Sequence, residues 1–585
     1  MTVLPNIDPS PCRKKIKKTL RKTCSVKTLK RRLPILSWLP KYKPGYFPQD
    51  FIAGITVGLT AIPQGIAYAV VAGLPPEHGL YASLTSGVIY VFFGSCYNVT
   101  VGPTAILAAM TAKYVSNYSA DFAILVAFIS GLVILGMGIL QLGFLVEFIS
   151  MPVISGFTTA AALQIAASQL KSFVGLSGPS GNYFAESIEN LIVNFKTMKL
   201  YEPILGLATI IMLMLLKKLG EGCKRTDGFI KQVRWFISLS RNAVVIVVGM
   251  TVAFILKITL EHEPLILIGD IGGGLPEFSW PPFSTVVGNQ TYSFGDMMNV
   301  MGTGFVVLPL VAIIESVAIA KAFAGGATVD ATQEMIALGL CNIIGSFGQS
   351  MPITGSFTRT ALNHMSGVVT PLGGVTKVIL LIIALTSLTS TFYYIPKASL
   401  SGLIISAMFS MIDYKIVQKL WRNSKKELAI LIVTGMVCLL YGLEYGIIAG
   451  IVIEAALLLH RVSRPKLSAN FVKSQKGDLL IVPLTEDISY CAAEHIRRTV
   501  IKESQELSDT VIVIDGTNLK NMDFTAASNL VLVVKELDKK SLRVLMLNFN
   551  LILKNLCVDI DRSIEEKFVY GTNVLVMPEV FLKAV

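Results

Sequence analysis

Charge is scarce in this sequence. Asp, Glu, Lys and Arg make up only 15% of its 585 residues, against 53% hydrophobic, too little charge to cover a soluble protein of that size. Ordered cysteine chemistry is lacking too. The eight cysteines are scattered, with no CxxC or metal-ligand spacing, so free thiols are expected and a disulfide framework is not. No apolar leader opens the chain. Its first thirty or so residues are basic, so the first apolar run reads as an internal start signal and not as a cleavable signal peptide. The soluble C-terminal part shows no phosphate-cradling glycine loop, no clustered histidines and no Ser/His/Asp set. An enzyme is therefore not expected, and neither is a cofactor or metal.

What the chain does have is apolar runs of membrane-spanning length, recurring through residue 461. Fourteen are expected, at about 51–72, 79–97, 104–116, 121–142, 149–172, 202–218, 242–259, 297–322, 333–349, 358–368, 371–390, 397–412, 427–441 and 444–461. An even number puts both termini on one side, and loop charge makes that side cytoplasmic. Lys217, Lys218, Lys224, Arg225, Lys231, Arg234 and Arg241 mark one inner loop; Lys415, Lys419, Arg422, Lys425 and Lys426 mark another. The stretch 260–296 has no Lys or Arg but carries Glu261, Glu263, Asp270 and Glu277, so it should face out. The formal charge of +13 falls beside the spans, which points to the bilayer and not to nucleic acid. Residues 1–50 form a basic cytoplasmic arm, with Arg13–Lys22 and Lys27–Arg32 dense in cations. Sequons at Asn289 and Asn117 lie on the predicted outer side; that at Asn98 is discounted because it falls inward or within a broken span.

Two of the apolar stretches are broken. In Met351–Gly367, Pro352 and Gly355 break helix while Ile353, Thr354, Phe357 and Thr358 favour an extended chain; from Thr358 on the residues suit a helix. This predicts a short extended piece reaching the bilayer midplane and a half-helix starting there. Its first turn offers free N–H groups, the positive end of a dipole, the hydroxyls of Ser356, Thr358 and Thr360, and Arg359. That combination describes an anion site, although Arg359 pairing with a carboxylate or reaching the interface remains open. Asn98–Leu107 has the same form: β-branched residues, Gly102-Pro103, then a helical run from about Thr104, with Pro103 suited to the first turn. Paired broken spans in the two halves of an apolar chain mark a transporter binding site.

Three further residues stand out. Pro63 and Gly65 should interrupt the first span, where Gln64 and Tyr68, four apart, share a face and can either line a cavity or satisfy one another. Glu315 lies deep in a span, a candidate for exchanging a proton during turnover or for pairing with Arg359. Lys377 and Lys397 stand near span ends and are expected at the interface. After Arg464 the character changes. Residues 468–585 read as strands at Asp478–Pro483, Thr510–Asp515 and Arg543–Leu547, with helices at Ser489–Glu506, Thr525–Asp538 and from Leu551: a small cytoplasmic α/β domain. Asp515 and Asp523 read as turn and cap residues.

Residues 55–83, ITVGLTAIPQGIAYAVVAGLPPEHGLYAS, closely resemble the signature of the sulfate permease (SulP) family. Gly102-Pro103-Thr104, the segment 354–367 and a C-terminal STAS-like domain complete the likeness, and TGSFTRTAL (354–362) and LPLVAIIESVAIAKAF (308–323) are most similar to its sodium-independent sulfate transporter branch. The resemblance implies a polytopic helical fold of fourteen spans in a seven-plus-seven inverted repeat, with a core and a gate domain, over residues 51–461, and a STAS domain over 468–585. It implies elevator-like movement and a homodimer held partly by the STAS domains. It maps an anion site onto Gln64, Tyr68, Pro103, Thr104, Ala105, Thr358 and Arg359, and proton coupling onto Glu315. The expected function is secondary active transport of sulfate, coupled to protons or exchanged for chloride, bicarbonate or oxalate, at the plasma or lysosomal membrane. A largely uncoupled anion channel is the alternative.

Overall fold

In hydrocarbon a chain can satisfy its own backbone polar groups only as a helix or a closed barrel, and each of the fourteen predicted spans is helical. The structure, a computed structural model, describes residues 26–177, 181, 183–222, 228–260, 264–324, 328–467, 469–472, 478–504 and 510–571. Arg13–Lys22, Lys224, Arg225, Glu261, Glu263 and the end of the C-terminal domain lie outside the described residues. The span helices are α1 Phe47–Val71, α2 Pro76–Phe93, α3 Ala105–Asn117, α4 Ala120–Ile139, α5 Met151–Val174, α6 Tyr201–Leu219, α7 Arg241–Leu260, α8 Gly304–Phe323, α9 Ala331–Phe347, α10 Phe357–Met365, α11 Gly373–Ser387, α12 Lys397–Met411, α13 Lys425–Tyr441 and α14 Leu443–Ser463. Among the described residues, seven helices are by themselves long and apolar enough to cross a membrane; α3 and α10, the half-helices, are among the short ones.

The first seven and last seven helices follow the same plan. Each set opens with a helix carrying an internal proline, Pro63 in α1 and Pro309 in α8. A second helix follows, then a two-residue strand leading into a short helix: β1 Val101–Gly102 into α3, and β4 Thr354–Gly355 into α10. Packing obeys the same exchange. α2 lies against α11 as α9 lies against α4, and α5 packs on α13 as α12 packs on α6. The two halves interlock where β1 pairs antiparallel with β4, Val101 opposite Gly355 and Gly102 opposite Thr354. The intervening stretch carries a hairpin of β2 Thr285–Val287 and β3 Gln290–Tyr292.

Three expectations need correction. Pro63 and Gly65 do not interrupt α1, which runs unbroken past both. Gly65 serves packing instead: a Cβ there would lie 2.9 Å from Gly79 O on α2, and one on Gly79 would clash with Gly65 O, so the two glycines let α1 and α2 cross at backbone contact. Pro103 precedes the helix and is not in its first turn, because Thr104 is the N-cap. Lys377 is not interfacial. It is 3% exposed. Lys397 is half-buried and lines a cavity described below. Of the basic arm, Arg31 Nε meets Asp330 Oδ2 at 2.5 Å, the N-cap of α9.

The chain divides into two compact units, residues 1–451 and 452–585. The second holds a five-stranded sheet in the order β11 Phe568–Val569, β10 Val544–Leu547, β8 Val511–Asp515, β6 Leu479–Pro483, β5 Asn470–Val472, parallel except for β5. A further short pair joins β7 Asp487–Ile488 to β9 Asn521–Met522. Helices α15 Tyr490–Glu503, α16 Phe524–Lys539 and α17 Leu551–Ile560 bury Ile496, Val500, Leu530, Val534 and Leu553 in a core with Ile512, Ile514 and Met546. Asp523 caps α16, accepting from Ala526 N at 2.8 Å, and Asp515 accepts from Thr517 N at 2.9 Å.

Candidate functional site

The N-termini of α3 and α10 are brought together by the β1–β4 pair. In α3 the first helical hydrogen bond runs from Ala108 N to Thr104 O, so the N–H groups of Ala105, Ile106 and Leu107 have no partner within the helix. In α10 the equivalent bond runs from Thr360 N to Ser356 O. Arg359 is the third residue of α10 and its side chain leans back toward that N-terminus, as helical geometry requires. It is 1% exposed, the largest of the fully buried side chains. Its Nη2 donates to Pro103 O at 2.8 Å and its Nη1 makes a longer contact, 3.4 Å, with Gln64 Oε1 on α1. Gly102 makes that approach possible: a Cβ there would stand 3.0 Å from Nη2.

Arg359 therefore neither reaches the interface nor, among the described residues, forms a salt bridge with a carboxylate. Glu315 on α8 is close enough to act on it electrostatically, as is Tyr68, one turn beyond Gln64. Glu315 is half-buried as a residue; its Oε2 is buried and makes no hydrogen bond of ordinary geometry, with the Thr104 hydroxyl turned toward its carboxylate. The hydroxyls of Ser83 on α2 and Ser316 on α8 are likewise buried without a partner. All of these border the strand pair. Ser83 Oγ is 3.6 Å from the Cβ position of Gly102, and Ser316 Oγ 3.3 Å from that of Gly355. Buried hydroxyls left without partners cost about 1–3 kcal/mol each, and such donors beside a cation and two helix N-termini have the chemistry to hold an acceptor-rich, negatively charged guest.

Of the residues singled out from sequence, Gln64, Tyr68, Pro103, Thr104, Ala105, Arg359 and Glu315 come together here. Thr358 is half-buried at the edge, its hydroxyl 3.4 Å from Ser356 Oγ. Ser83 and Ser316 escaped sequence reasoning, and Lys377 was expected at the interface instead. Lys377 had a signal, an ammonium inside an apolar run; the serines had none. Asn117 and Asn289 stand apart, both exposed, at the end of α3 and in the β2–β3 turn. A separate cavity of about 580 Å³, lined by Lys113, Asn117, Lys171, Lys397 and Glu444 among others, opens at the helix ends predicted to face out. Within it Lys113 Nζ pairs with Glu444 at 2.6 Å.

The family described as the sulfate permease family matches residues 47–434, and the STAS domain matches residues 470–561. A sodium-independent sulfate anion transporter of Bos taurus is 38% identical over 88% of this chain and 86% of its own length. A chloroplastic sulfate transporter 4.1 of Arabidopsis thaliana is 33% identical over 74% of this chain and 62% of its own. Among solved structures, the murine solute carrier 26 family member A9 anion transporter in the inward-facing state superposes with a TM-score of 0.82, covering 98% of each chain at 21% identity, which shows the fold. These relatives are named as transporters and permeases and not as enzymes. With the profile, the identity and the fold in agreement, the chain belongs to the sulfate permease family.

Proposed function

We propose that the chain is a secondary active anion transporter, with sulfate its principal cargo, taken up in the pocket between the N-termini of α3 and α10. The observation that carries this is the buried Arg359 guanidinium, without a salt bridge among the described residues, held at the meeting of two helix N-termini with the unpartnered Ser83 Oγ beside Gly102. Sulfate offers four acceptor oxygens and two negative charges. Arg359 and two helix dipoles offset that charge. Gln64, Tyr68, Ala105 and Thr358 complete the wall. Most relatives that the chain resembles are named for sulfate, which favours it over other anions.

Glu315 is the coupling residue in this reading. An anionic carboxylate beside the cargo repels it, and a proton on Glu315 removes the repulsion, so proton and sulfate travel together. Exchange for chloride, bicarbonate or oxalate uses the same pocket. Movement is elevator-like: α1–α4 and α8–α11 pack among themselves and carry the pocket, while α5–α7 and α12–α14 form the gate they slide against. The protein works as a homodimer in the plasma or lysosomal membrane, both termini cytoplasmic, glycosylated at Asn289 and Asn117.

The test is radiolabelled sulfate uptake into proteoliposomes of purified protein, at outside pH 5.5 and 7.5, with and without trapped chloride. Faster uptake at acid pH without trapped chloride is the expected result and marks proton coupling. A strict need for trapped chloride marks exchange instead. Sulfate flux absent under all four conditions, with chloride currents present, refutes the carrier and leaves an uncoupled channel.

A further inference from the structure

Behind the pocket lies a second buried cation. Lys377, on α11, is 3% exposed, and its Nζ donates to Val101 O at 3.3 Å. Room for it comes from Gly87 on α2, where a Cβ would sit 2.9 Å from Lys377 Cε and 3.2 Å from Nζ. Among the described residues it has no salt bridge. The groups that act on it electrostatically are Arg359, of like sign, and the buried Cys341 thiol. The two cations hold carbonyls two residues apart on one strand, Lys377 that of Val101 and Arg359 that of Pro103. In an extended chain such carbonyls lie on the same side. Two positive charges buried this close are costly unless an anion neutralises them or one gives up its proton.

We propose that Lys377 is a positioning residue of the anion pocket, whose charge acts through the Val101–Thr104 strand to favour divalent over monovalent anions. This rests on the anion occupying the pocket beside Arg359. One cation balances one negative charge; a second cation, one strand-length behind, balances the second. The strand from Val101 to Thr104 spans about 10 Å. At that distance, with an effective dielectric between about 20 and 40, one fixed charge changes monovalent affinity on the order of 4- to 15-fold. Coulomb energy is proportional to the guest's charge, so a divalent guest of the same shape loses that factor squared, roughly 15- to 200-fold.

Sulfate and perchlorate make the comparison, since both are tetrahedral and differ in charge. Equilibrium binding of radiolabelled sulfate to purified full-length protein, and its displacement by perchlorate, would be measured for wild type, Lys377→Gln, Lys377→Arg and Arg359→Ala. The expected result is that Lys377→Gln weakens sulfate by the square of its effect on perchlorate, while Lys377→Arg keeps the sulfate-to-perchlorate ratio within about twofold. Equal losses for both anions overturn the proposal and leave Lys377 as a packing residue. If Lys377→Gln does not fold, Lys377→Arg decides alone, a changed ratio refuting the role of charge. Unaltered sulfate binding in Arg359→Ala refutes the pocket itself, an outcome distinct from failure at Lys377.

Discussion

Gly102→Ala is the smallest change that reaches the proposed pocket. Gly102 carries no positive φ, so its backbone accepts alanine without strain. The new Cβ would meet Arg359 Nη2 at 3.0 Å, Arg359 Cζ at 3.5 Å and Ser83 Oγ at 3.6 Å. Only the first is tight, so the guanidinium must retreat by a few tenths of an ångström. Its 2.8 Å bond to Pro103 O then stretches past 3 Å. A hydrogen bond to a charged group is worth about 1.5–3 kcal/mol, and losing roughly a third to a half of it amounts to ~1 kcal/mol. That corresponds to a rise of about fivefold in KM for sulfate. Maximal rate and surface expression should change little, because no buried group loses its last partner. Gly102→Val, which adds two methyls against the guanidinium, should abolish saturable uptake. Uptake kinetics in Gly102→Ala indistinguishable from wild type would refute the claim that Arg359 touches the cargo from this position.

Three further outcomes are expected. Thr104→Val removes a buried hydroxyl that makes no hydrogen bond of ordinary geometry and is turned toward Glu315; thermal stability without sulfate should change little, while sulfate affinity falls by about 10- to 100-fold from the loss of a charged hydrogen bond. A fall in both would make Thr104 structural. Glu315→Gln should bring the ratio of sulfate uptake at pH 5.5 to that at pH 7.5 close to one, and a persistent acid stimulation would remove Glu315 from the coupling. In the second unit, Lys535 and the Ser563 N–H hold the half-buried Asp561 carboxylate down to about 2. A carboxylate depressed on folding contributes stability above its unfolded value, near 3.9, and loses it as pH falls toward 2. The thermal-stability gap between wild type and Asp561→Asn should therefore be present at pH 6 and close on acidification; a gap independent of pH contradicts this.

The fourteen spans were legible because apolar runs of bilayer length admit little but helix, and the two half-helices because Pro103, Pro352 and Gly355 break those runs where β-branched residues accumulate. Helix starts were legible only to within several residues: α1 begins at Phe47 where residue 51 was expected and α8 at Gly304 where 297 was, although α10 begins at Phe357, one residue before the expected Thr358. Pro63 misled because a proline's missing hydrogen bond is tolerated in a membrane helix, whose neighbours re-satisfy the backbone. Lys377 misled because its distance along a run says nothing of how deep that run sits. Ser83 and Ser316 could not be read at all. Their placement depends on α2 meeting β1 and α8 meeting β4, contacts between residues far apart in sequence that no local pattern encodes. The β2–β3 hairpin had a signal, Gly288-Asn289 between β-branched residues, lost inside a loop valued for its charge alone.

The most direct test of the central claim is sulfate uptake by proteoliposomes containing Arg359→Ala, reconstituted at equal density and confirmed monodisperse. Removing one member of a buried charged hydrogen-bonded set costs ~3–5 kcal/mol, so KM should rise by at least about 100-fold, leaving uptake linear in sulfate over the millimolar range. Saturation at the wild-type sulfate concentration would contradict the account, placing the anion away from the meeting point of α3 and α10.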